Sequence, residues 1–189
     1  MGLLTARKKL FCGSNMVLDR EAGNRLDALY RKHHSDVFRL CLRFCAGDRP
    51  WAMDRTQEVF VKLALCLDEL VDTEDLGGWL YRVGANVCLM ELRRQRGWRK
   101  VVDVMLRAPE RRSLSPEREV RARHDVSDVE RAIHHLPPHE RAVMVLVYLD
   151  GKSQTDAAKL LGLSKGQVSK LHARALANLR AQDWEVACA

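Results

Sequence analysis

The chain has 189 residues, 32 Lys and Arg against 25 Asp and Glu for a formal net charge of +7, and 47% hydrophobic residues. This much apolar content folds, the length allows one domain or two small ones, and 11 Gly with 5 Pro exclude collagen-like and low-complexity chains. The longest apolar run, residues 142–149, is far short of the roughly 20 residues of a spanning helix, so no membrane insertion is expected.

Residues 1–20 carry Arg7, Lys8 and Lys9 without a following apolar stretch, so they read as a disordered extension rather than a secretory signal. Translation from Met1 and from Met16 both fit. The cysteines (Cys12, Cys41, Cys45, Cys66, Cys88 and Cys188) fall singly at apolar-periodic positions, the pattern of reduced thiols in a cytoplasmic protein. From Arg25, Leu26, Leu29, Tyr30, Val37, Leu40, Cys41 and Phe44 recur at helical steps and stop at Gly47. A second helix is predicted from Trp51 to Leu67, burying Val59, Phe60, Leu63 and Leu67. Asp68 to Gly78, with the pair Gly77-Gly78, reads as a loop or short turn. A third helix follows from Trp79 to about Arg96, with Leu80, Val83, Val87, Met90 and Leu92 inside.

These elements make a first domain over residues 21–100. Residues 101–124, broken by Pro109 and Pro116 and crowded with Arg and Glu, read as a tether. Periodicity returns at Val126, Val129 and Ile133 in a second domain, 125–183, followed by a tail, 184–189. Its predicted helices run from His139 to Leu149, from Gln154 to Leu161 and from Lys165 to about Gln182. The expected fold is all-α: two small helical domains joined by a flexible linker.

Within the second domain, Ala158 is small where two helices cross, Gly162 suits a left-handed helix end, and Ser164 suits an N-cap. Ala157, Leu161, Val168 and Leu171 face inward. This is a helix-turn-helix pattern, whose second helix enters a DNA major groove. The outward residues Lys165, Gln167, Ser169, Lys170 and Arg174 all donate hydrogen bonds, and no acid lies among them. In the first domain, residues 93–100 hold five basic residues in eight and one tryptophan. With Trp79 and Tyr81 they offer the phosphate neutralisation and stacking faces that unstacked DNA needs. Asn86 has donors and acceptors enough to read the edge of a flipped base.

On these residues the chain resembles the bacterial sigma-70 family, and its two-domain economy resembles the extracytoplasmic-function (ECF) group. Gly47-Asp48-Arg49 through Leu63 resembles region 2.2, Trp79 through Arg96 regions 2.3 and 2.4, and Leu136-Pro137-Pro138 through Arg180 region 4. The resemblance implies a sigma factor, not an enzyme, that brings core RNA polymerase to promoter DNA. It implies that Asp54, Gln57, Glu58, Phe60 and Lys62 form or support the surface for the β′ clamp helices. The β flap is the second implied polymerase contact. Trp79, Tyr81, Arg82, Asn86, Arg93 and Arg94 would serve the −10 element, with the loop 68–78 completing the pocket around a base held by Asn86. Lys165, Gln167, Ser169, Lys170 and Arg174 would meet the −35 duplex. Many family members are restrained by an anti-sigma factor. No cofactor or metal is implied.

Three other readings are weaker. Gly151-Lys152-Ser153 matches the end of a phosphate-binding loop, but residue 146 is Leu; His139-Glu140 starts a zinc-protease pattern, but residue 143 is Val. His34, Cys41 and Cys45 can share one helix face as soft ligands of a thiol or metal sensor, although free Cys on an apolar stripe is more often core. A repressor or activator that binds duplex operator alone keeps the helix-turn-helix but leaves the 93–100 run and Asn86 without a task.

Overall fold

The structure, a computed structural model, describes residues 20–70, 75–106 and 128–187, and is helical with no strand among them. The expected extension, most of the linker and the last two residues lie outside the described residues, as does Cys188.

Helix α1 spans Arg20–Phe44, α2 Arg49–Leu65 and α3 Leu76–Leu106. α1 starts five residues before Arg25, where the sequence reading begins it. It ends where Ala46 and Gly47 turn left-handed, at φ 57° and 80°, and Gly47 N–H reaches back to the Leu42 carbonyl at 3.1 Å. Asp48 then caps α2, its carboxylate accepting from Trp51 N–H at 3.1 Å, with Pro50 in the first turn where a missing N–H costs nothing. The three helices close a core of Val37, Leu40, Cys41 and Phe44 against Val59, Phe60 and Leu63, and against Leu80, Ala85, Cys88 and Leu92. Gly84 lets α1 and α3 approach, since a Cβ there would stand 3.1 Å from Leu40 Cδ2.

Three expectations for this half change. Gly77 and Gly78 are not loop but the first turn of α3, because Asp75 Oδ1 accepts from Gly78 N–H at 2.8 Å and starts the helix early. The same cap explains the glycine, as a Cβ at 78 would fall 2.0 Å from Asp75 Oδ2. At its other end α3 runs to Leu106, past Arg96 and into the stretch read as tether. Residues 97–106 contain no proline to interrupt the helix. Met90, read as inside, is 68% exposed, because Val87, Cys88, Leu89, Glu91 and Leu92 already fill the inward arc of α3.

The second half comprises α4 (Asp128–His135), α5 (Pro138–Met144), a π turn (Val145–Leu149), α6 (Gln154–Leu161) and α7 (Lys165–Ala187). The helix expected over 139–149 is therefore α for its first part and π for its last. Asp150 N–H bonds the Val145 carbonyl, five residues back, at 3.0 Å. Ala142 through Leu146 are all buried, the mark of a helix surrounded on every side. Around it pack Ile133, Leu136, Ala157, Ala158, Leu161, Val168 and Ala175. The two halves are not apart: α3 lies against α5 and α6, and α1 touches the π turn.

Candidate nucleic-acid and polymerase interface

The helix-turn-helix forms as its punctuation requires. Ser153 Oγ caps α6, accepting from Asp156 N–H at 3.1 Å. Gly162 ends α6 at φ 66°, and Leu163 N–H closes on the Ala158 carbonyl at 2.9 Å. Ser164 Oγ accepts from Gln167 N–H at 3.2 Å, while Gln167 Oε1 accepts from Ser164 N–H at 2.9 Å. That reciprocal pair is a capping box. Gln167, expected at the −35 duplex, thus commits its carbonyl oxygen to the start of α7 and keeps its NH2.

Lys165, Ser169 and Lys170 are exposed. Arg174 is exposed too, but it is not unopposed. Its Nη2 lies 3.4 Å from Oε1 of Glu140, a carboxylate on α5 that is 1% exposed. Asn178 Nδ2 donates to the other oxygen of Glu140 at 2.6 Å. The stretch of α7 from Lys165 to Arg174 carries no acid of its own, yet α5 supplies one beneath it, and Glu140 ties α7 to the scaffold through two side chains. No one-dimensional pattern marks such a crossing. On the same scaffold His172 Nε2 sits 3.1 Å from the Tyr148 hydroxyl, their rings stacked.

Along α3 the six residues expected at the −10 element divide. Arg82 and Arg93 are exposed, and Trp79 is half-buried. Arg94 makes a two-pronged pair with Glu91, 2.7 Å at each contact, which holds the Glu91 carboxyl below the usual carboxylate range. Gln95 and Arg55 join the same carboxylate at 3.0 and 3.5 Å. Beyond this knot, Arg93, Arg96, Trp98 and Arg99 stand exposed, an open basic and aromatic end.

Tyr81 and Asn86 lie in the seam between the halves. Asn86 Nδ2 donates to the Arg82 carbonyl at 2.8 Å and to the Leu160 carbonyl of α6 at 3.0 Å. The Tyr81 hydroxyl donates to Asp150, which also pairs with Arg43 of α1, and Lys152 stands 5.0 Å over the Tyr81 ring. Burial pushes the Tyr81 phenol up to about 12.

On α2, Asp54 and Gln57 are exposed, and Glu58 bridges Arg55 at 3.1 Å and Lys62 at 3.5 Å. Phe60 is buried, as its place on the apolar stripe of α2 predicts. It is 6% exposed and packs edge-on to Tyr30 with ring centres 4.7 Å apart, so it supports the face from beneath. Sequence reasoning missed Met53, Val61 and Leu65, which are exposed large apolar side chains. Their four-residue steps through Gln57 form a stripe off the core arc of 52, 56, 59 and 63, a signal visible in the sequence.

His34, Cys41 and Cys45 do not converge. His34 stacks parallel to Phe38 with centres 5.9 Å apart, and the Cys41 and Cys88 sulfurs lie 3.7 Å from each other. The Cys45 thiol donates to the carbonyls of Leu42 and Asp48 and is pushed up to about 12, chiefly by burial. Among the described residues no three His, Cys, Asp or Glu are placed to hold a metal, and no helix is long and apolar enough to cross a membrane.

Residues 29–97 match the family described as Sigma-70 region 2, and residues 132–181 match Sigma-70, region 4. The ECF RNA polymerase sigma factor SigM of Mycobacterium tuberculosis is 31% identical over 162 residues, covering 84% of this chain and 78% of that protein. SigE of Mycolicibacterium smegmatis, also named an ECF RNA polymerase sigma factor, is 30% identical over 158 residues, covering 82% and 60%. Among solved structures, RpoE of Bartonella quintana, in complex with the anti-sigma factor NepR, superposes with a TM-score of 0.55 at 20% identity, covering 84% of this chain and 96% of that one. That likeness supports the two-part helical fold. A helix-turn-helix with an exposed basic face, a basic and aromatic helix end, and both matched regions in this order identify the chain as a member of the sigma-70 family, in its ECF group: a subunit that binds core RNA polymerase and directs promoter-specific initiation.

Proposed function

We propose that the two halves divide promoter recognition as follows. The α2 face, with Asp54, Gln57, Glu58 and Lys62 and the apolar stripe Met53, Val61 and Leu65, docks on the β′ clamp helices of the polymerase. The start of α7, through Lys165, Ser169, Lys170 and the free NH2 of Gln167, enters the −35 major groove. The 79–99 face of α3 takes the −10 strand, Arg82, Arg93 and Arg99 on phosphates, Trp98 as a stacking face, and Asn86 on an unstacked base. The observation that carries the reading is the pairing of two exposed basic surfaces, one on a helix-turn-helix and one beside a tryptophan, with an α2 face whose apolar stripe has no partner among the described residues.

In this reading the chain catalyses nothing itself and works in the cytoplasm, where the polymerase is. A second partner is an antagonist protein of the kind that NepR is to the Bartonella relative.

Run-off transcription from a genomic fragment library with bacterial core polymerase tests the whole reading. Discrete transcripts that need both components support it. Tight duplex binding by the chain alone, with no transcripts and no co-elution with core, would replace it with an operator-binding regulator. On a promoter recovered this way, Asn86→Ala should slow open-complex formation at least tenfold while leaving closed-complex binding within twofold. Equal losses at both steps would remove Asn86 from base capture.

A further inference from the structure

We propose that Cys41 and Cys88 form a dithiol site that a hydroperoxide closes into a disulfide, joining α1 to α3 and slowing promoter opening. The site stands on the fold alone, and only its effect on opening rests on the −10 role proposed above for α3.

The pair is not the grouping of His34, Cys41 and Cys45 that spacing along one helix suggests. It joins residues 47 positions apart, and the fold alone brings them together. Both side chains are completely buried, and the Cys88 thiol donates to the Cys41 sulfur across 3.7 Å. Gly84, one turn before Cys88, lets the helices close at this crossing, since a Cβ there would stand 3.1 Å from Leu40 Cδ2. Close backbone approach is what a disulfide needs, because its Cα atoms stand about 4.4–6.8 Å apart. The sulfurs have about 1.6 Å to travel to reach the bonding distance of about 2.05 Å.

The two thiols are unequal, and the difference assigns their parts. The hydrogen donated by Cys88 holds Cys41 below the ordinary thiol range despite burial, and the positive charge of Arg55 on α2 acts in the same direction. Burial and the bond to Cys41 push Cys88 up, so Cys88 keeps its proton. Thiolate is the form that attacks peroxide, which makes Cys41 the nucleophile and Cys88 the resolving thiol. Cys41 sulfur bonds one peroxide oxygen, the O–O bond breaks, and the other oxygen leaves as water or an alcohol with the proton that Cys41 gave up. The Cys88 sulfur then attacks the Cys41 sulfenic acid: the S–S bond forms, the S–O bond breaks, and water departs with the Cys88 proton. Two thiols are oxidised, one peroxide is reduced, and a dithiol reductant reverses the change. Cys45, one turn beyond Cys41, does not compete, because it is pushed up to about 12 and donates to two backbone carbonyls.

Peroxide enters from the end of α1. Cys41 lies one turn before Phe44, where the helix gives way to the left-handed Ala46 and Gly47, and helix ends open locally at lower free energy than whole domains. The crosslink falls on the working part of α3. Cys88 sits between Asn86 and Arg93, so drawing this stretch toward α1 displaces the side chains that serve the −10 strand.

The test treats the full chain with excess hydrogen peroxide and maps its cysteines by mass spectrometry of unreduced digests. The expected product is a linked pair of peptides carrying Cys41 and Cys88, lighter by two hydrogens than the free peptides and lost on adding dithiothreitol. After removal of peroxide, the oxidised chain with core polymerase should form open complexes at least threefold more slowly than the reduced chain, and dithiothreitol should restore the rate. Cys88→Ala, with its folding checked by circular dichroism, should lose the crosslink and leave a Cys41 sulfenic acid that dimedone traps. A wild-type digest in which Cys41 and Cys88 stay reduced, or in which either joins another cysteine instead, overturns the site. A crosslinked chain that opens the promoter at the reduced rate overturns the effect on opening. If the reduced chain forms no open complexes with core, the promoter reading fails, and the mapped crosslink alone judges the site.

Discussion

At the residue scale, the decisive side chains on the −35 half are those that answer a buried charge. Glu140 is 1% exposed and holds Arg174 and Asn178. Hydrogen bonds to a charged group are worth about 1.5–3 kcal/mol. Glu140→Gln should therefore lower the stability of the second half by about 1–3 kcal/mol, read from urea unfolding followed by circular dichroism. The same geometry sorts the expected DNA contacts. Lys170→Ala should flatten the dependence of log affinity for the −35 duplex on log salt by about 0.9, one phosphate's worth. Arg174→Ala should cost stability and leave that slope nearly unchanged. A flattened slope for Arg174→Ala would return that residue to the phosphate contacts.

His134 sets an acid limit on the same half. Burial and the neighbouring Arg141 hold its imidazole down at about 3, against an ordinary 6.5, and its Nδ1 has no hydrogen-bond partner. A lowered folded value means that the unfolded chain binds the proton first. The neutral form's contribution is complete above pH 6.5 and is lost as pH falls toward 3, at up to about 1.4 kcal/mol per unit. Wild type should lose urea resistance between pH 6.5 and 4.5 more steeply than His134→Leu does.

At the element scale, the helices were legible where short-range chemistry decides them, and misread where a distant partner does. The left-handed Gly162, the cap at Ser164 and the small Ala158 each follow from steric rules within a few residues, and each stands where the sequence puts it. The capping box at Ser164 and Gln167 was equally legible from its spacing, yet the outward position of Gln167 suggested a base contact first. The Asp75 cap was hidden by two glycines, whose low helix propensity is a weak prior that one hydrogen bond outweighs. The Glu140 tie and the place of Asn86 depend on which helices cross, and periodicity along one helix is silent on that. Two substitutions test the elements themselves. Ser164→Ala should cost about 1 kcal/mol through loss of the cap, seen as a lower urea midpoint for the second half. Gly84→Val drives a branched side chain toward Leu40, where even a Cβ would stand at 3.1 Å, and should cost the first half about 1–3 kcal/mol. An unchanged midpoint in either variant would mean that the neighbouring backbone relaxes around it.

At the scale of the whole molecule, the all-α, two-part reading and the sigma-70 resemblance were legible, because each half carries its own motif. The packing of the halves against each other was not, because residues suited to DNA are equally suited to a neighbouring domain. Tyr81, Asn86 and Arg93, expected at DNA from the sequence, face the second half. That overlap gives the molecule a titratable seam. His139 is held below its ordinary value by burial and by Arg93 across the seam. Separating the halves would remove both influences, so a separated chain would bind a proton more readily than the packed one. The sign follows: above pH 6.5 imidazole is neutral in both forms and closure is strongest, while acidification through that value favours opening. Scattering at pH 7.5 and 5.5 should show the radius of gyration rising in acid, with helix content holding to show that the His134 effect has not yet unfolded the second half. His139→Gln, neutral at both values, should reduce the change by at least half. A radius that ignores pH in the wild type, or a change that survives His139→Gln intact, would assign the seam's balance to the Arg99 and Arg141 pair, whose charges do not titrate in this range.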